Sequence, residues 1–113
     1  MVPGEIGLAN FPFGGGPGMK PRPVLLLTGP VGPVPEVLVA YISSVLPATP
    51  LATDLVLDPS RPEFAGTNLK MTSVLRLHKL ATIHARSIVR SLGKVSPVTE
   101  ADIAARLRGL LNL

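Results

Sequence analysis

Proline and glycine interrupt this chain too often for a helical bundle: 13 Pro and 11 Gly stand among 113 residues. Such punctuation fits short strands joined by turns, a mainly β chain. The length suits a single domain, residues 1–113, with one core. The exception is the C-terminus. Ser96 is a candidate N-cap with Pro97 at the first helical position, or Thr99 caps with Asp102 three residues on. Ile103, Leu107, Leu110 and Leu111 then recur at helical spacing and predict one apolar stripe over residues 97–112.

The most informative stretch is Phe11 to Thr28. An aromatic–proline knot, Phe11-Pro12-Phe13, closes a first strand, Glu5–Asn10. A glycine-rich loop follows, mobile from Gly14 to Pro21. It is neither a dinucleotide fingerprint nor a P-loop, because Lys20 is followed by Pro21 and no helix is signalled. Next, Val24 to Thr28 reads as a buried strand. Arg22 lies between Pro21 and Pro23, so a stiff, extended backbone aims its guanidinium. An arginine at the mouth of a buried strand suits an anion; a solvated edge charge is the plainer alternative.

Further strands are predicted at Glu36–Ser44, Ala52–Leu57, Lys70–His78, Leu80–His84 and Ser87–Leu92, with a loop over Asp58–Asn68. In the first of these, Val37, Val39, Tyr41 and Ser43 share one face, with Leu38, Ala40, Ile42 and Ser44 on the other. Ser43 and Ser44 arrive where a core strand reaches the surface. Arg76 and His78 share a face of their strand, a phosphate-holding cation beside a group that titrates near neutrality. A surface pair at a strand end is the competing reading, and His84 is read as structural or exposed and not as catalytic.

Charge points in the same direction. The net charge is +4, and from Arg61 to Lys94 seven cations face one acid, Glu63. A basic half suits a polyanion or an acidic protein partner, although an ordinary solvated face remains the alternative. The chain has no Cys, and His78 and His84 fit no zinc or calcium spacing. The most apolar window, Val34–Leu46, is too short and too polar to span a bilayer. No signal segment opens the chain, so a soluble, cytoplasmic protein is expected. A mean hydropathy of +0.42 predicts apolar surface in a subunit interface.

Five segments in order, GEIGLANFPF, KPRPVLLLT, LVAYISS, SVLRLHKLATI and RSLGKVSP before a terminal helix, resemble the MazF/PemK-like toxins of type II toxin–antitoxin systems. The resemblance covers Gly4 to Leu113. It implies a small SH3-like β-barrel with a C-terminal helix, usually a homodimer. It also implies an endoribonuclease that cuts single-stranded RNA without metal or other cofactor. The 2′-OH of the RNA attacks its own phosphate, leaving a 2′,3′-cyclic phosphate and a 5′-OH. A cognate antitoxin, acidic and partly disordered, is the implied inhibitor, and no membrane partner is implied.

Carried over by residue, Arg22 matches the arginine of the family's Arg-Pro motif, and Ser43 stands where members usually carry Thr. Arg76 and His78 fall in a Val-Arg-Leu-Asp-like strand, with His78 where Asp is common. The resemblance therefore implies Arg22, Ser43 and His78 as catalytic residues, with Lys20, Ser44, Arg76 and Lys79 binding RNA. The glycine loop lacks the Asp, Glu or His that many members place before the Arg-Pro pair, which leaves the general base open. Two alternatives keep the fold: a toxin that docks a protein target, as the gyrase poisons of this fold do, and an inactive relative that binds nucleic acid or antitoxin.

Overall fold

The computed structural model describes residues 1–10 and 20–113. The predicted Phe11–Phe13 knot and the Gly14–Gly18 loop lie outside those residues. The described residues form six strands: β1 (Glu5–Asn10), β2 (Pro21–Leu26), β3 (Glu36–Ser43), β4 (Asp54–Leu57), β5 (Ser73–His84) and β6 (Ile88–Lys94). They form one antiparallel sheet in the order β4-β5-β3-β2-β1-β6. One helix, α1 (Pro97–Leu111), closes the chain.

The apolar run in β2 is buried on both sides, which is why it alternates so little. Val24 and Leu26 join Ala9, Val37, Val39 and Ile83 in one cluster. Leu25 joins Ile6, Ala40, Ile42, Leu75 and Leu77 in the other, which Ile103 of α1 covers. The period-two reading of β3 therefore holds, with Val37 and Val39 on one side and Ala40 and Ile42 on the other.

Three expectations change. First, the sheet is not a closed barrel. Among the described residues β4 and β6 form no ladder with each other. A 3-10 turn, Pro62–Thr67, inside the predicted loop, packs on β6 instead. Gly93 makes this contact possible, because a Cβ there would sit 2.7 Å from the Thr67 carbonyl oxygen. Second, the two strands predicted at Lys70–His78 and Leu80–His84 are one, β5, which begins only at Ser73. Its register against β3 jumps from Ala40↔Leu80 to Tyr41↔Arg76, so Leu77–Lys79 bulge out and break the alternation. Third, strand pairing begins at Pro21, opposite Asn10, where a loop was expected to continue.

At the helix, Ser96 is the cap: its Oγ accepts the Thr99 N–H at 3.2 Å. Of the predicted stripe, Ile103 is buried and Leu107 half-buried. Leu110 and Leu111 are 42% and 52% exposed. The helix is anchored by Arg106, whose Nη1 donates to the carbonyl oxygens of Ala52 (2.7 Å) and Asp54 (3.1 Å), while its Nε pairs with Asp102. No helix among the described residues is long and apolar enough to cross a membrane.

Candidate functional site

A cavity of about 860 Å³ opens where β2 and β3 part company. The prolines explain the parting. In β2 the odd-numbered residues face β3: just past the strand, the N–H of Leu27 still donates to the Leu38 carbonyl at 2.8 Å. Pro23 and Pro21 share that parity and have no N–H to offer. The β2–β3 ladder accordingly stops at Val24↔Tyr41, whereas β1 pairs with β2 all the way to Pro21. Two residues beyond the last rung, the same register sets Arg22 opposite Ser43. Both line the cavity.

Arg22 is exposed and makes no ion pair or side-chain hydrogen bond among the described residues. Ser43 is partly buried, and its Oγ accepts the Val45 N–H at 3.1 Å. That bond fixes the oxygen and leaves the hydroxyl proton free to be donated into the cavity. Ser44 also lines the wall, together with Tyr41. Lys20 is exposed, one residue before β2, and is not part of the cavity lining.

The structure does not bring the other predicted site residues to this cavity. Arg76 is turned to β4: its Nε and Nη2 donate to the two carboxylate oxygens of Asp54 at 2.9 and 3.3 Å. The Asp54 side chain is fully buried. Burial alone would raise its pKa, but the Arg76 guanidinium and the Leu51 N–H outweigh it and hold the carboxyl below its ordinary value. His78 is occupied beside them, with Nδ1 2.7 Å from the Thr53 hydroxyl. Lys79 lies nearer, its Nζ 5.7 Å from the centroid of the Tyr41 ring. His84 accepts the Arg86 N–H at Nδ1, at 3.1 Å, and does not line the cavity.

Sequence reasoning missed the far wall. Asn68, Lys70, Met71, Arg90 and Ser91 also line the cavity. Its charged residues are Arg22, Lys70 and Arg90, and no acidic side chain lines it among the described residues. The excess of cations between Arg61 and Lys94 was the available signal, but it did not single out these two. Among the described residues no three His, Asp or Glu side chains gather to hold a metal ion.

Comparison with known proteins agrees with this architecture. The family model for the PemK-like, MazF-like toxins of type II toxin–antitoxin systems matches residues 2–111, and the chain belongs to that family. Among solved structures it is similar to the Mycobacterium tuberculosis toxin MazF-mt6, at 26% identity and a TM-score of 0.73. That alignment covers 96% of this chain and 97% of that one. It shares its fold with an endoribonuclease in complex with its cognate antitoxin from a mycobacterial species (17% identity, TM-score 0.68, 100% and 96% covered). It also shares it with MazF from Deinococcus radiodurans (18%, 0.68, 100% and 97%). Comparison with curated protein sequences gave no match.

Proposed function

We propose that this toxin is a metal-independent endoribonuclease acting on single-stranded RNA. The observation that carries the reading is the meeting of Arg22 and Ser43 at one open cavity whose described walls hold no acidic side chain. A phosphodiester entering there meets a planar, permanently charged donor and a hydroxyl held by its own oxygen. The 2′-OH gives up its proton to water as its oxygen bonds to phosphorus. The bond to the 5′-oxygen breaks, that oxygen takes a proton from water to leave as a 5′-OH, and negative charge builds on the non-bridging oxygens between. Arg22 neutralises that charge, and Ser43 donates to the same phosphate. Ser44 and, before the strand, Lys20 contact the RNA.

Single-stranded substrate suits the site, because exposed Val45 and Met71 on its walls offer apolar surface to unstacked bases. His78 has no part in this reading, since its ring is engaged by Thr53 outside the cavity. The toxin acts as a cytoplasmic homodimer, and an acidic antitoxin segment neutralises it by offering carboxylates to Arg22 in place of phosphate.

Incubation with a long single-stranded RNA in excess chelator tests the reading. Defined fragments with 5′-OH and 2′,3′-cyclic phosphate ends are expected. An RNA left intact sinks it in favour of a docking toxin or an inactive binder.

A further inference from the structure

One side-chain bond helps tie the cavity's far wall together. Asn68 caps the 3-10 turn in the left-handed region, at φ 56°, a conformation that Asn tolerates. From there its Nδ2 donates to the Leu92 carbonyl on β6 at 2.7 Å. Lys70 lies two residues after Asn68 and Arg90 two residues before Leu92, so this bond ties their segments together at the cavity. Both side chains are exposed and, like Arg22, make no ion pair or hydrogen bond among the described residues. Elsewhere on the described chain, Arg61, Arg76 and Arg106 each have a carboxylate partner. Among the described residues Arg86, Lys94 and Arg108 are unpaired as well, but Lys70 and Arg90 are the ones that, with Arg22, line a concave surface.

Their placement differs from that of Arg22. Arg90 pairs across Leu8 to Pro23, so these three share one rung and one face of the sheet. Arg22 follows the next rung, on the opposite face of β2. Arg90 is also rooted two strand spacings from β2, about 10 Å away. Arg90 and Arg22 thus enter the cavity from different rungs and do not converge as one clamp.

We infer that Lys70 and Arg90 form a second phosphate subsite, which holds the RNA backbone at a linkage other than the one gripped by Arg22 and Ser43. This rests on the endoribonuclease reading for its substrate, but it is tested by binding alone. The probe is a single-stranded oligoribonucleotide with methylated 2′-oxygens, which cannot be cleaved, titrated at several salt concentrations. The double variant Lys70→Ala/Arg90→Ala binds roughly tenfold more weakly than wild type at low salt. Its slope of log affinity against log salt shrinks by about 0.7, the share of one phosphate contact on a single strand. Arg86→Ala/Arg108→Ala removes the same net charge away from the cavity and keeps the wild-type slope. All four side chains are exposed, so circular dichroism and melting should match wild type.

An unchanged slope in the first variant, or an equal loss in the control, overturns the subsite. A protein that leaves cleavable RNA intact, yet shows the selective loss of slope, keeps the subsite and loses the catalytic reading. Normal cleavage with no slope difference does the reverse.

Discussion

Arg22 and Arg76 stand on strands of the same sheet, and the fold treats them in opposite ways. Arg76 is half-buried and forked onto a carboxylate that is itself sealed from solvent. With Arg106 gripping the backbone of Ala52 and Asp54 from the helix, it helps hold β4, β5 and α1 in place. Arg22 is exposed, flanked by prolines, and faces a cavity with no described acid. A cation's role therefore follows from whether the fold supplies its counter-charge. Where Asp54 supplies it, the arginine is architecture; where nothing does, the site is left for a ligand to neutralise.

The sharpest way to break this contrast is to remove each side in turn. Arg22→Ala should lower RNA cleavage on the order of 100-fold or more, with the melting temperature kept, because only the charge on the transition state is affected. Cleavage within a few-fold of wild type would remove Arg22 from the mechanism. Asp54→Asn should show the opposite profile: a loss of about 2 kcal/mol in chemical denaturation, since charged hydrogen bonds to Arg76 are replaced by weaker ones. Cleavage per folded molecule should be retained.

The pH dependence follows from the same pair. The folded pKa of Asp54 lies below its ordinary 3.8. A depressed carboxylate contributes stability above its unfolded pKa and loses it as pH falls through the folded value. Wild type should thus lose stability steeply below about pH 4, and Asp54→Asn should have a flatter acid limb. Parallel limbs in the two proteins would show that the Arg76 pair does not govern acid stability.

What was legible in the chain was whatever depends on neighbours in sequence. The bounds of β1, the two faces of β3, the Ser96 cap and the stiffness around Arg22 all follow from local spacing. The meeting of Arg22 and Ser43 at one cavity was legible only through the family resemblance. Its physical cause, Pro21 and Pro23 ending the β2–β3 ladder, needs to be known from the strand order. The β5 bulge was hidden because Leu77–Lys79 break the alternation and imitate a strand end. Lys70 and Arg90 were hidden because the Asn68 bond joining their segments spans 24 residues. Asp54 and Arg76, 22 residues apart, were hidden for the same reason, and without Asp54 in view Arg76 resembled a binding residue.

Two smaller effects test how far the open side of the molecule extends. Ser43→Ala should cost about tenfold in cleavage, the scale of one hydrogen bond to a charged group, and Ser43→Thr should restore most of it. His78→Ala is the finer measurement, because the residue sits on the same strand as Arg76 but its ring is bonded to the Thr53 hydroxyl and not to a carboxylate. Its Nδ1 contact with Thr53 involves two partly buried groups that water reaches once the ring is gone. The predicted change in cleavage is less than about threefold, or about 0.6 kcal/mol of barrier, with a small drop in stability. A pH–rate profile that keeps its shape in the variant agrees with a structural imidazole. A 100-fold loss together with a vanished limb of the pH–rate profile would mean that His78 reaches RNA, and the division between the two sides would have to be redrawn around it.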